Sequence, residues 1–173
     1  MSRILTAYFS RAGENYFGGA IRTVKVGNTE IAVNFIQKLA DTDVYKIEMK
    51  TPYSQDYKTC VKEAVQDLKS SARPEIVDPP EDINGYDTVI LAYPNYCSTV
   101  PCAVFTFLEH YDFTGKTILP LCTNEGSGMG KSVSDIKAVC PGAHVADGLS
   151  LNGSRVASSA QEIENWLKTQ NVI

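Results

Sequence analysis

The sequence predicts an α/β fold of three layers, in which a five-stranded parallel sheet lies between two layers of helices. Two observations carry this prediction. Five short apolar runs rich in β-branched residues alternate with longer segments of helical periodicity. The apolar runs are continuous rather than alternating, which is typical of strands that are buried on both faces. Strands and helices in alternation form βαβ crossovers, and these produce a parallel sheet with helices on both sides.

The predicted strands follow the apolar runs in chain order. The first four runs are clear, and the fifth has the weakest pattern. The strands are predicted at residues 4–9, 44–49, 88–93, 117–123 and 143–149.

The predicted helices occupy the segments between the strands and the C-terminal segment. In the first helix, Ile31, Phe35 and Leu39 recur at the spacing of one buried face. In the last helix, Ile163 and Trp166 have the same spacing. The helices are predicted at residues 29–39, 57–68, 100–111, 131–139 and 158–169.

Length and composition limit the function classes. The chain has 173 residues, of which 43% are hydrophobic, and this suits one domain with one core. A single domain over residues 1–173 is therefore expected, with the rigid acidic stretch 78–82 as a connection inside it. The net charge of −4 argues against a nucleic-acid-binding protein that relies on a basic face.

The apolar runs also bear on localisation. None of them approaches the about 20 apolar residues that a membrane-spanning helix needs. Met1 and Ser2 lead directly into the first strand, without the apolar segment of a signal peptide. A cytoplasmic protein with no membrane contact is expected.

The cysteines predict neither a disulfide framework nor a metal site. Five cysteines are an odd number, and they are scattered through a chain that is large enough to fold without disulfides. Reduced thiols are expected. With two histidines and no C-x-x-C pair, the usual zinc spacings are absent, so no metal is predicted.

A polar loop follows the first strand, at the sheet edge where parallel sheets bind ligands. It opens with Ser10 and Arg11, and the first helix begins only after Gly27-Asn28-Thr29-Glu30. The unpaired N–H groups and the dipole of a helix start attract a phosphate, to which Arg11 would add a charge-assisted contact. The alternative is that Asn28 or Thr29 is simply an N-cap residue.

The segment 13–26 interrupts this loop as an insertion. Alternating apolar and basic residues near its end predict a small hairpin or flap. Two roles are open for it: closing over a ligand through Asn15 or Tyr16, or contacting a partner or second subunit. The alternating residues are Ile21, Arg22, Val24, Lys25 and Val26.

Three loops together resemble the flavodoxin family. They follow the first, third and fourth strands, so the resemblance extends over nearly the whole chain. The chain is most similar to short flavodoxin-like proteins whose phosphate loop is split by an insertion. The matching residues are Tyr8-Phe9-Ser10-Arg11 with Gly27-Asn28-Thr29-Glu30, then Tyr93-Pro94-Asn95-Tyr96, and then Cys122-Thr123-Asn124-Glu125-Gly126-Ser127-Gly128.

The resemblance implies a flavodoxin-like sheet of strand order 2-1-3-4-5 and a noncovalently bound flavin mononucleotide (FMN). The phosphate would contact Ser10, Arg11, Asn28 and Thr29. If the insertion closes over the ligand, Asn15 is a further candidate contact to the cofactor. One side of the isoalloxazine ring would be flanked by Pro94, Asn95, Tyr96 and Cys97, with Tyr96 as the stacking partner. The other side would be approached by Thr123, Glu125, Gly126, Ser127 and Gly128, whose backbone N–H groups suit the ring edge.

Three other functions fit the sequence poorly. The stretch 126–132 looks like a nucleotide-binding P-loop, but Glu125 stands where that pattern requires glycine. A phosphoacceptor receiver domain needs carboxylates after the first and third strands, and the chain has none there. A cysteine hydrolase that pairs Cys97 or Cys122 with a histidine has no local signature.

The flavodoxin family contains both oxidoreductases and single-electron carriers. The modest net charge favours an oxidoreductase, since carriers commonly present a strongly acidic face. The loop 123–128 has no aromatic residue, which leaves one ring face open to a second substrate. An oxidoreductase acting between a nicotinamide cofactor and a quinone-like or other small acceptor is predicted, and an electron carrier for partner redox proteins is the alternative. A homodimer is left open.

Overall fold

The protein is described by a computed structural model over residues 3–173, so the expectation for Met1 and Ser2 lies outside the described residues. Strands and helices alternate along the chain, apart from two extra strands in the insertion and a divided last strand. The elements are β1 (Ile4–Tyr8), β2 (Gly13–Phe17), β3 (Ala20–Val24), α1 (Asn28–Leu39), β4 (Asp43–Lys46), α2 (Tyr57–Lys69), β5 (Thr88–Pro94), α3 (Cys102–His110), β6 (Thr117–Asn124), α4 (Ser132–Val139), β7 (His144–Val145), β8 (Leu149–Asn152), a 3-10 helix (Gly153–Ser158) and α5 (Ala160–Thr169).

The main sheet is parallel throughout, and its strands lie in the order β4-β1-β5-β6, followed by β7 and β8, which both pair with β6. The predicted order 2-1-3-4-5 is therefore confirmed. The carboxyl ends of β1, β5 and β6 lie side by side, so the three loops that resemble the flavodoxin family meet at one edge of the sheet.

The prediction of one continuous fifth strand over residues 143–149 is wrong. β7 pairs with β6 as far as Ile118, and β8 pairs with β6 again from Leu121. Pro120 lies in the gap, and it has no N–H group to donate to a neighbouring strand. The interruption divides the edge position between two short strands.

The core occupies both faces of the sheet. Val89, Leu91 and Ile118 face a cluster that includes residues of α3 and α4, whereas Ile90 and Leu119 face a cluster that includes residues of α1 and α5. Because successive strand residues point to opposite faces, continuously apolar strands fill both clusters. The predicted three-layer arrangement is confirmed.

The insertion forms the predicted hairpin. β2 and β3 are antiparallel and form a sheet of their own, in which Tyr16 pairs with Ile21. Gly18 and Gly19 make the turn, with φ angles of 60° and 91°, and two positive φ angles in succession are typical of a two-residue hairpin turn.

Within residues 3–173, no helix combines the length and apolarity that crossing a membrane requires. No group of three His, Cys, Asp or Glu side chains in this part of the chain is arranged to hold a metal ion.

Candidate functional site

A pocket of about 210 Å³ lies at the carboxyl edge of the sheet, between the hairpin and the loops after β1, β5 and β6. Most of the predicted site residues line it: Arg11, Asn15, Asn28, Thr29, Pro94, Asn95, Tyr96, Thr123, Glu125 and Ser127. The lining also includes Tyr16, Tyr57 and Asn124. Ser10, Cys97, Gly126 and Gly128 are near the pocket in sequence but lie outside its lining.

The start of α1 is held against the loop after β1. Gly27 is the N-cap residue and has no side chain to cap the helix, but Ser10 Oγ accepts a hydrogen bond of 3.1 Å from Glu30 N. The interpretation of Asn28 or Thr29 as the N-cap is therefore wrong, because both lie inside the helix. Within residues 3–173, the backbone N–H groups of Asn28 and Thr29 make no hydrogen bond, which leaves them available to an anion.

Gly27 allows this close approach of loop and helix. A Cβ atom on Gly27 would lie 2.2 Å from Ser10 Oγ and 2.6 Å from the backbone oxygen of Arg11. Its φ angle of −66° is ordinary for any residue, so space, not backbone conformation, requires glycine here.

Two threonines form the floor of the pocket. Thr29 Oγ1 and Thr123 Oγ1 are 2.8 Å apart, and the two residues are 2% and 3% exposed. This buried hydrogen bond ties the start of α1 to the end of β6.

Two residues of the pocket lining each carry a buried acceptor that has no partner within residues 3–173. They are Asn28 Oδ1 and Glu125 Oε1. Both side chains lie over Gly153, where a Cβ atom would be 2.4 Å from Asn28 Nδ2 and 2.9 Å from Glu125 Oε1. A buried polar atom without a partner costs about 1–3 kcal/mol, so this part of the pocket suits a ligand with hydroxyl or N–H donors.

Tyr96 lies in the loop after β5 and is fixed by aromatic packing. Its ring packs edge-to-face on Phe9, with 5.7 Å between centroids and 75° between planes. Burial, reinforced by the nearby Cys60 thiol, raises the pKa of the Tyr96 hydroxyl. Tyr96 is thus a neutral, firmly placed aromatic wall, and its role as the stacking partner of a flavin stays a prediction.

Cys97 lies at the exposed tip of the same loop. Cys97 and Ser98 have φ angles of 54° and 69°, and their turn is closed by two backbone hydrogen bonds of 2.9 and 3.1 Å between Tyr96 and Thr99. Asn95 Nδ2 donates to Gly128 O over 2.9 Å and so joins this loop to the one after β6. Desolvation raises the pKa of the Cys97 thiol, which does not favour a reactive thiolate.

Asn124 organises the loop after β6 and is not among the predicted site residues. Asn124 Oδ1 accepts from the N–H groups of Gly126 and Gly128 over 3.0 and 2.9 Å. These N–H groups, expected to face the ring edge, are therefore already used inside the loop. An asparagine two residues before a Gly-x-Gly sequence is the signal of such a turn.

The hairpin is fixed at its root to the start of α2. Arg11 donates through Nε to Glu14 O over 3.1 Å and through Nη2 to Gln55 O over 2.9 Å. Glu14 Oε2 accepts from the backbone N–H of Tyr57 over 2.8 Å. Asn15 Nδ2 donates to Arg11 O over 2.9 Å, so the amide of Asn15 holds its own loop together.

The hairpin tip reaches the opposite side of the pocket. Gly18 N donates to Glu125 Oε2 over 3.2 Å. The hairpin therefore bridges the pocket from α2 to the loop after β6, and Asn15 and Tyr16 become part of its wall. Contact of the hairpin with a partner or second subunit stays a prediction.

Tyr57 is a further site residue that is not among the predicted ones. It is the first residue of α2 and lines the pocket, and the hydrogen bond from its backbone N–H to Glu14 holds the hairpin root beside it. Burial, together with the nearby Cys60 thiol and Tyr16 hydroxyl, raises the pKa of Tyr57. No local pattern around residue 57 signals this position.

A family model described as Flavodoxin matches residues 3–170. Among solved structures, a protein described as a flavoprotein from Bacteroides eggerthii is 26% identical, with all of both chains covered and a TM-score of 0.79. A flavoprotein in complex with FMN from Lactobacillus acidophilus is 18% identical, with 91% of this chain and 98% of that chain covered and a TM-score of 0.64. No curated protein matches the chain.

Proposed function

Because this chain belongs to the flavodoxin family, whose members bind FMN, we propose that its pocket holds FMN. We further propose that the protein is an oxidoreductase that acts between a nicotinamide cofactor and a quinone-like or other small acceptor. The net reaction would convert NAD(P)H, a proton and a quinone into NAD(P)⁺ and a hydroquinone. A cytoplasmic location is part of the same proposal.

Two features of the pocket support the FMN assignment: the buried acceptors without a partner, and the unpaired backbone N–H groups at the start of α1. FMN has a phosphate, a chain of hydroxyl groups and a planar ring. The phosphate suits the unpaired N–H groups of Asn28 and Thr29, the dipole of α1 and the charge of Arg11. The hydroxyl groups suit the unpartnered oxygens of Asn28 and Glu125, so the residues present fit the group.

Each part of the pocket would have a separate task. Thr29 and Thr123 support the ligand from the floor, and Tyr96 offers an aromatic wall to its ring. The hairpin limits the access of water from above. When bound, FMN would supply a ring that accepts a hydride and passes electrons on.

The hairpin favours a small substrate over a protein partner. It crosses the pocket from a hydrogen bond with Tyr57 at its root to one with Glu125 at its tip. A carrier that passes electrons to another protein benefits from an open ring edge, whereas an enzyme for small molecules benefits from enclosure.

The decisive experiment is a flavin titration followed by reduction. We expect FMN to bind with quenching of its fluorescence, and riboflavin, which lacks the phosphate, to bind about tenfold or more weakly. NADH or NADPH should then bleach the bound flavin, and a quinone should restore its colour. Failure to bind FMN would refute the cofactor, and binding without reduction by either nicotinamide would support the carrier.

Asn28→Ala tests the observation that carries the assignment. FMN affinity should fall about fivefold, since one hydrogen bond is worth about 1 kcal/mol. The free energy of unfolding of the ligand-free protein should not fall, because the substitution removes an unpartnered acceptor. Asn34→Ala, at an exposed position of the same helix, is the matched control and should leave both quantities unchanged.

A further inference from the structure

Three tyrosines line the pocket from three separate segments: Tyr16 from β2, Tyr57 from α2, and Tyr96 from the loop after β5. Tyr96 packs on Phe9, inside the fold. Tyr16 belongs to the hairpin wall and is 45% exposed, so it is not part of the core. The tyrosines of the hairpin and α2 therefore need an explanation apart from the core.

The root of the hairpin places Tyr16 beside Tyr57. Glu14 contacts the backbone N–H of Tyr57. Side chains two residues apart on a strand point to the same face, so Tyr16 extends from the side of β2 that bears Glu14. Both tyrosines line the pocket, and the Tyr16 hydroxyl is near enough to contribute to the raised pKa of Tyr57.

The hydroxyl groups of these two tyrosines do not stabilise the described part of the chain through hydrogen bonds. Within residues 3–173, neither the Tyr16 hydroxyl nor the Tyr57 hydroxyl makes a hydrogen bond to another residue. Tyr16 pairs across the hairpin with Ile21, which is 43% exposed and does not line the pocket. Cross-strand packing accounts for an apolar residue at position 16 but not for a ring that faces the pocket.

We propose that Tyr16 and Tyr57 form a stacking platform that positions the planar ring of the second substrate, an aromatic quinone-like acceptor. This inference rests on the proposed function and adds the class of acceptor and the residues that select it. A planar ring gains contact area on two aromatic side chains, whereas a compact inorganic oxidant gains none. In the net reaction, the nicotinamide gives up a hydride, which amounts to two electrons and one proton, and the solvent supplies one further proton, so that the quinone becomes a hydroquinone.

The test compares two oxidants of the FMN-loaded protein. Tyr57→Leu and Tyr16→Leu keep apolar side chains but remove the rings. The protein is reduced anaerobically with dithionite, and its reoxidation is followed with naphthoquinone or with ferricyanide, at concentrations below saturation. Each variant should lower the naphthoquinone rate about two- to tenfold, and the ferricyanide rate and FMN affinity should stay within about twofold of wild type.

Two further variants separate stacking from loosening of the structure. Tyr57→Phe keeps the ring and should restore most of the naphthoquinone rate. Ile21→Ala removes the hairpin partner of Tyr16 without touching the pocket lining and should leave both rates unchanged.

The outcomes distinguish this inference from the proposed function. Three outcomes would refute the platform. The tyrosine variants could lose the same fraction of the reoxidation rate with both oxidants, they could lose none with either oxidant, or Ile21→Ala could lose as much naphthoquinone rate as Tyr16→Leu. A wild-type protein that does not bind FMN would instead refute the proposed function. Dithionite makes the measurement independent of the nicotinamide, so a flavoprotein that no nicotinamide reduces still tests the platform.

Discussion

The floor of the pocket and its hairpin wall are held in place by different means. On the floor, Thr29 and Thr123 are 2% and 3% exposed and hydrogen-bond to each other at the ends of buried elements. On the wall, Tyr16 and Ile21 are 45% and 43% exposed. The wall depends on polar contacts at its root and one at its tip. The floor should therefore open only when the whole fold unfolds, whereas the hairpin can open by itself.

This difference gives the two regions separate roles in ligand binding. The pocket has a volume of about 210 Å³, below the about 300–1,000 Å³ of typical small-molecule sites. The floor cannot move without disturbing the core. We therefore expect the hairpin to move outward when FMN enters, with the Gly18–Glu125 hydrogen bond as the contact that breaks first.

The largest effect on the floor is expected from Gly27→Ala. A Cβ atom there would be 2.2 Å from Ser10 Oγ and 2.6 Å from a backbone oxygen, so loop and helix must separate. Overpacking of this kind costs about 1–3 kcal/mol, and we expect the upper end of that range because backbone must shift. Denaturant unfolding measures the stability, and an FMN titration should show more than about tenfold weaker binding.

Gly85→Ala is the matched control for Gly27→Ala. Its Cβ atom would meet only the end of the Arg3 side chain, at 2.8 Å, and this exposed side chain can move aside. Stability should change by less than about 0.5 kcal/mol. If both variants had equal stability, the floor would be less rigid than its packing indicates.

A smaller effect is expected from Thr29→Val, which keeps the shape of the side chain but removes the hydroxyl. Thr123 then loses its partner in a buried site, at a cost of about 1–3 kcal/mol in the free energy of unfolding. The double variant Thr29→Val with Thr123→Val should regain part of this loss, because no hydroxyl is then left unpaired. Strictly additive losses in thermal or denaturant unfolding would show that the two hydroxyls do not depend on each other.

The sequence predicts the floor much better than the wall. The buried segments of the core fix the positions of the residues at their ends, among them Ser10, Thr29 and Thr123. The strand order alone therefore predicts the sheet edge at which these three residues meet. The strand order does not predict their hydrogen-bond partners. For example, Glu30 N can donate to Ser10 Oγ because Gly27 lets the loop approach the helix closely, and this distance is not visible in the sequence.

The wall depends on contacts between segments that no local pattern connects. The periodicity predicts a hairpin but not how it lies across the pocket. Its placement is set by two hydrogen bonds, one between Glu14 and the start of α2 and one between Gly18 and the loop after β6. Tyr57 lines the pocket beside the hairpin root, a position that no local pattern signals. The divided fifth strand is a different case, because Pro120 was visible in the sequence and its missing N–H group could have predicted the interruption.

Glu14→Ala should have the smallest effect on global stability and the clearest effect on the wall. The Tyr57 N–H group loses its acceptor, but Asp56 still caps α2 by accepting from Thr59 N over 2.8 Å. The free energy of unfolding should therefore fall by less than about 1 kcal/mol. Hydrogen exchange of the β2 and β3 amides should quicken about fivefold, while exchange in α1 follows global stability. Glu14→Gln keeps an acceptor oxygen and should change the rate of hydrogen exchange less. If Glu14→Ala accelerated exchange equally in α1 and in the hairpin, floor and wall would open together.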